Sequence, residues 1–186
     1  ELSLTEIEPR TFSFNAPFGA CAECHGIGTQ SMADPDLVLG DENLSIRQGV
    51  VLPWKPGGKE NIYPYFERLV HGLSLDLGFS LDTPWNQLET EIQNAVLYGN
   101  DFDIVVKWRN RYGRQVSMSR GFEGVIPYVE RKMLETDSDL AKERYAAYHR
   151  TVSCDACSGR RLSPAVLGVT INNRSISEIC DMSLED

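Results

Sequence analysis

The pattern Cys-x-x-Cys-x-Gly occurs twice in this chain, as Cys21-Ala-Glu-Cys24-His25-Gly26 and, far downstream, as Cys154-Asp-Ala-Cys157-Ser158-Gly159. No other feature limits the fold so tightly. Two cysteines two apart on a tight turn can aim both sulfurs at one ion, and glycines such as Gly26 and Gly28 supply the backbone freedom that such a knuckle needs. Two knuckles together make four thiolates, the donor set of a closed tetrahedral zinc site. The spacing therefore predicts one structural zinc ion held by Cys21, Cys24, Cys154 and Cys157, with everything between the knuckles forming an insert.

Three other uses of these cysteines compete with zinc. A redox dithiol normally occurs once, at the start of a helix in a βαβ pattern that this sequence lacks. Cys21-x-x-Cys24-His25 matches a c-type haem attachment signature, with Met32 as a conceivable axial partner, but the second knuckle has no following His. A disulfide framework is disfavoured because five Cys in 186 residues are sparse and odd in number. Cys180 is left over and reads as a small buried hydrophobe on a C-terminal helix.

A hydrophobic content of 41% over 186 residues suits one compact domain with a small satellite. No run of eighteen apolar residues and no signal peptide is visible, which leads us to expect a soluble, cytoplasmic protein with reduced thiols and no membrane partner. The start at Glu1 without Met and the abrupt end at Asp186 suggest a piece of something larger. The net charge of −9 argues globally against nucleic acid. Its distribution argues otherwise, because Lys107, Arg109, Arg111, Arg114, Arg120, Arg131 and Lys132 face only Glu123 and Glu130 within residues 107–132.

Along the chain, Phe12 and Phe14 alternate before Pro17 and predict a short strand, with Phe18 packed on the metal module. Asp34 followed by Pro35 predicts a capped helical turn. Residues 44–54 are apolar and β-branched enough for a bent strand. The loop Lys55-Pro-Gly-Gly-Lys59 imitates a phosphate-binding loop but has Pro53 where Gly is required and Glu60 where Ser or Thr is required. Phe66, Leu69, Val70, Leu73 and Leu77 form an amphipathic stripe ending near Gly78, on which His71 reads as structural. A helix is expected at about 87–97. A hairpin is expected at 103–120, turning at Asn110–Gly113 and placing Lys107 and Arg109 on one face with Trp108 on the other. Two helices follow, one from Val125 to about Thr136 with Val125, Val129 and Met133 inward, and one at about 138–149 carrying Leu140, Tyr145 and Tyr148. Residues 166–176 read as a small hairpin turning at Asn172-Asn173, with a helix from Ser177.

These segregated strand-like and helical runs predict an α+β fold. A discontinuous zinc module, residues 1–29 and 151–186, would carry an insertion domain at 30–150 with a basic β-hairpin. No paired carboxylates and no Ser/His or Cys/His constellation stand out, so no catalytic residue is assigned. The basic hairpin and helix could neutralise phosphates, with Trp108 or Tyr112 stacking on a base, or could form a solvated face paired with acids elsewhere. Charge pattern alone leaves both open.

The runs Glu8-Pro-Arg-Thr-Phe-Ser-Phe-Asn-Ala-Pro-Phe-Gly-Ala-Cys-Ala-Glu-Cys-His-Gly-Ile-Gly28, Phe122-Glu-Gly-Val125 with Glu130-Arg-Lys132, Cys154-Asp-Ala-Cys-Ser-Gly-Arg-Arg-Leu162 and Ile179-Cys-Asp-Met-Ser-Leu184 resemble the UvrA family of bacterial nucleotide excision repair. The likeness runs essentially end to end. It implies a region inside the first ATP-binding half, where a zinc module carries an insertion domain implicated in DNA contact. The family's Walker motifs and Leu-Ser-Gly-Gly signature are not in this sequence, so the resemblance implies a non-catalytic piece of an ATPase. Implied partners are damaged duplex DNA, the rest of a UvrA-like chain, a second copy in a homodimer, and the excinuclease B subunit. The family also carries a Cys-x-x-Cys upstream of this start, which offers Cys21 and Cys24 an alternative mate. Knuckles of this type occur in DnaJ-type chaperones too, which gives a second functional class, a zinc module that holds peptide.

Overall fold

Residues 33–150 form one unit, and residues 1–32 together with 151–186 form another. The computed structural model describes residues 8–55, 62–109 and 111–183. The fold is α+β, with helices and, among the described residues, three separate two-stranded sheets.

In the unit of residues 33–150, Asp34 caps the helical turn α1 (Pro35–Val38) by accepting the amide of Asp36, as Pro at the first helical position favours. Helix α2 (Pro64–Leu77) buries Phe66, Val70 and Leu73 and stops at Gly78. A 3₁₀ turn at Trp85–Gln87 leads into α3 (Thr90–Tyr98). Strands β2 (Asp103–Arg109) and β3 (Gln115–Gly121) form the expected hairpin in the register Ile104↔Arg120, Val106↔Met118, Trp108↔Val116. Its turn begins at Asn110, which lies outside the described residues. Helices α4 (Val125–Glu135) and α5 (Asp139–Ala146) follow.

The apolar stripe of α2 packs on β2, whose Ile104 and Val106 are buried. Trp54, Val96, Val125 and Val129 complete that core. Gly124 sits where α4 begins beside the end of α3. Its φ is +82°, and a Cβ there would come 2.3 Å from the amide nitrogen of Gly99, so only glycine allows the close approach.

Several local expectations are corrected. Residues 44–54 are not a strand: they make isolated bridges, Leu39 with Val51 and Ser45 with Pro84, and a 3₁₀ turn at Leu52–Trp54. Ile46, Val50, Val51 and Trp54 are all buried without alternation, and a run buried all round looks like a strand when read by hydrophobicity alone. Met133 is only half-buried, and Ile126 is buried instead. Leu140 is exposed; α5 ends at Ala146, so Tyr145 and Tyr148 alone pack on the core. His71 is exposed on α2. The loop at residues 56–61 lies outside the described residues.

In the terminal unit, residues 9–12 form a 3₁₀ turn rather than a strand. Pro9 pre-sets the helical φ, and the Glu8 amide donates to Thr11 Oγ1 at 3.2 Å. Phe18 is 66% exposed, with the Arg10 guanidinium 4.9 Å over its ring, and does not cover the cysteines. Strands β1 (Thr29–Ala33) and β4 (His149–Ser153) pair. Residues 164–167 form a helical turn, α6 (Pro164–Leu167), because Pro164 starts a helix readily; the strand β5 (Thr170–Ile171) is correspondingly short. It pairs with β6 (Arg174–Ser175) across Asn172 and Asn173, both at positive φ. Helix α7 (Ile176–Cys180) is closed by a capping box in which Ser175 and Glu178 exchange hydrogen bonds. Cys180 is exposed, not buried.

Candidate metal centre and nucleic-acid face

The four knuckle cysteines form a buried cluster of their own. Their Sγ atoms lie within 4.8 Å of one another, at 3.9 Å for Cys21 and Cys154 and 3.7 Å for Cys24 and Cys157. These separations are far beyond a disulfide bond of about 2.05 Å. A tetrahedral zinc with metal–sulfur bonds of about 2.3 Å has sulfur–sulfur edges of about 3.8 Å, so the cluster has the size of a filled tetrahedron. The four cysteines can therefore hold one metal ion. Each knuckle's backbone supports this. The Ile27 amide donates to the Cys24 carbonyl at 3.0 Å and the Arg160 amide to the Cys157 carbonyl at 2.9 Å, closing two equivalent turns. Gly26, at φ +81°, is packed so tightly that a Cβ would meet the Phe14 carbonyl oxygen at 2.1 Å.

The thiols differ in their readiness to ionise. Burial opposes ionisation of Cys24, but the Gly28 amide, which donates to its sulfur at 3.2 Å, together with the Cys157 thiol outweighs that and brings its pKa down to about 7. Burial dominates at Cys157 and pushes its pKa up to about 11. A cation at the centre would favour the thiolate form of all four.

The seven basic residues of segment 107–132 do not share one face. Cross-strand partners lie on the same side of a hairpin, so Arg120, opposite Ile104, is on the inner side with Val106 and Trp108. It donates from Nη1 to Tyr65 Oη of α2 at 2.9 Å. Lys107 and Arg109 point the other way and are exposed; among the described residues neither has an acidic partner within 4 Å. Arg111 and Arg114 are exposed at the tip, where the Arg111 guanidinium lies 4.7 Å over the Tyr112 ring.

On α4, Arg131 gives Nε and Nη2 to Glu123 at 2.6 and 2.8 Å and Nη1 to Glu135 at 2.7 Å, and Lys132 adds a 3.1 Å contact to Glu135. The hydrogen bond from Lys132, reinforced by Arg131, holds the Glu135 carboxyl below its usual range. Arg131 and Lys132 are thus largely neutralised locally, whereas Lys107, Arg109 and Arg111 are the more available cations. The pairing of Arg120 with Tyr65 was not legible in the sequence, where a tyrosine on an amphipathic helix carries no signal of its partner.

No helix among the described residues is long and apolar enough to cross a membrane. The UvrA DNA-binding domain profile matches residues 34–147. Over its whole length the chain is 48% identical to UvrABC system protein A of Micrococcus luteus and 42% identical to that of Mycobacterium tuberculosis, covering 18% and 20% of those proteins. The chain therefore spans about a fifth of the length of these curated relatives. It is also similar to the crystal structure of UvrA2 from Deinococcus radiodurans, with 26% identity and a TM-score of 0.69 over 96% of this chain and 22% of that one. With the profile spanning most of the unit that bears the basic hairpin, this chain belongs to the UvrA DNA-binding domain family.

Proposed function

We propose that this chain is the DNA-contacting portion of a UvrA-like excision-repair subunit: an insertion domain at residues 30–150, mounted on a zinc module made of 1–29 and 151–186. Zinc, held by Cys21, Cys24, Cys154 and Cys157, has a structural role. Its closed four-sulfur shell leaves no coordination position for a substrate. DNA runs over the outer side and tip of the β2–β3 hairpin, contacting Lys107, Arg109, Arg111 and Arg114 through phosphates and without sequence preference, with Arg120, Arg131 and Lys132 at the margin. The observation that carries this reading is the exposed pair Lys107 and Arg109, without acidic partners among the described residues, in a chain of net charge −9. The acidic remainder repels DNA and confines it to that face.

Within the longer protein we assign this portion no hydrolytic step, and place ATP binding, the dimer contact and the excinuclease B subunit in other segments of a cytoplasmic complex. The competing reading, a DnaJ-like module that holds peptide, differs in its dependence on these arginines. In a titration of the zinc-loaded chain with duplex DNA, Arg109→Ala/Arg111→Ala is expected to reduce the slope of log affinity against log salt by about 1.8, or about 0.9 per phosphate contact, alike for all sequences. Equal slopes and affinities for parent and variant would refute the hairpin assignment. Binding of unfolded peptide that ignores the double substitution would favour the chaperone-like alternative.

A further inference from the structure

Behind the Arg120–Tyr65 contact, in the unit of residues 33–150, a cleft of about 420 Å³ opens between α2 and the β3–α4 junction. Its walls are aromatic. Trp54 and Phe66 are stacked with centroids 5.3 Å apart and planes 14° from parallel, and Tyr128 meets Phe66 edge-on at 5.0 Å. Tyr65, 45% exposed, stands at the mouth and meets Phe66 edge-on at 5.2 Å. Arg120, Arg131 and Lys132 also line the cleft, against Glu123 as the one acid of the lining. Trp54 lines it as well, and its indole Nε1 is buried without a hydrogen-bond partner among the described residues.

Each feature narrows the occupant. Flat aromatic walls with one aromatic ring exposed at the entrance suit a planar ring that stacks. Arg120, the rim cation that no carboxylate holds among the described residues, favours a group attached to phosphate, whereas Arg131 and Lys132 are held by Glu123 and Glu135. An unsatisfied buried donor calls for an acceptor, and the edges of nucleobases are rich in acceptors. The volume lies within the range of pockets that enclose a small planar ligand. We propose that this cleft seats a nucleobase turned out of the DNA stack, with Tyr65 as the stacking platform and Arg120 holding the adjoining phosphate. The inference rests on the DNA-binding reading above and deepens it: the hairpin grips the backbone, and the cleft selects DNA in which a base can leave its partner, as a distorted duplex allows.

The test compares two probes on the zinc-loaded chain, a fully paired duplex and the same duplex with a single bulged 2-aminopurine. The parent is expected to prefer the bulged duplex and to quench its fluorescence on binding. Tyr65→Ala should abolish the quench and lower affinity for the bulged duplex about tenfold, the loss of one base–aromatic stack, leaving the paired duplex and the salt slope unchanged. Tyr65→Phe, which keeps the ring and loses only the hydroxyl bonded to Arg120, should retain the quench. Equal affinity for the two duplexes with no quench would overturn the proposal and leave the cleft to an aromatic peptide side chain. Failure of the parent to bind either duplex would instead refute the DNA-binding reading itself, and this proposal with it.

Discussion

Gly28 and Arg161 are counterparts across the four-cysteine cluster. Each follows the second cysteine of its knuckle by four residues and has a positive φ, +87° and +69°. The Gly28 carbonyl accepts the amide of Cys154 at 2.9 Å, and the Arg161 carbonyl accepts the amide of Cys21 at 2.8 Å. The two knuckles are thus locked reciprocally, backbone to backbone as well as sulfur to sulfur, and loss of either half should be felt by both.

Metal removal is the direct check on this reciprocity. One zinc per chain is expected by metal analysis. A strong chelator, or Cys154→Ser, should raise amide hydrogen exchange at Cys21 and Cys154 together, since the ion and the two exchanged hydrogen bonds form one cooperative unit. Protection lost at one knuckle while the other keeps its own would contradict the arrangement.

Gly26→Ala should be poorly tolerated. The left-handed conformation alone costs about 1–2 kcal/mol for a residue with a Cβ, and the 2.1 Å approach to the Phe14 oxygen adds to it. Gly168→Ala is the control, because there a Cβ would meet its nearest atoms at 3.5 Å, ordinary contact. Chelator competition should release metal from the Gly26 variant first, with the Gly168 variant matching the parent.

Leu73 is fully buried between α2 and β2, whereas Leu134 on α4 is 86% exposed. Leu73→Ala should lower stability by about 2–5 kcal/mol, and Leu134→Ala should stay within about 0.5 kcal/mol. Urea unfolding of both variants measures the contrast.

The ion cluster of Arg131, Lys132, Glu123 and Glu135 predicts a limb in the acid stability profile. Glu135 ionises below its ordinary value of 4.5 in the folded chain. Its contribution is therefore present above that value and is lost as pH falls through the lower folded one. Glu135→Gln should show a smaller fall in thermal midpoint between pH 5 and pH 3 than the parent. An identical fall would mean that the cluster is fully screened by solvent.

What the sequence disclosed divides along physical lines. The knuckles were legible because metal ligands must be cysteines at fixed spacing, and the α2 stripe and the hairpin because periodicities of 3.6 and 2 survive in the residue order. The irregular core at Ile46–Trp54 was misread since its burial has no period. Residues 9–12 were misread because two alternating phenylalanines outweighed the proline ahead of them. The basic segment was visible as a charge excess, but its division into an exposed outer pair, a tip, the Tyr65-bound Arg120 and a neutralised cluster on α4 depends on strand register and on Glu123 and Glu135. Charge counting sees neither.

The pairing of β1 with β4 has a consequence for how such a chain can vary. Asp34 and Tyr148, joined by an amide-to-carbonyl hydrogen bond of 2.9 Å, are also flanked by the Arg150–Asp34 ion pair at 2.7 Å. The polypeptide therefore leaves and re-enters at a single doorway. The two ends of the unit of residues 33–150 thus lie side by side, so length added to or trimmed from the loops between them leaves the spacing of those ends unchanged.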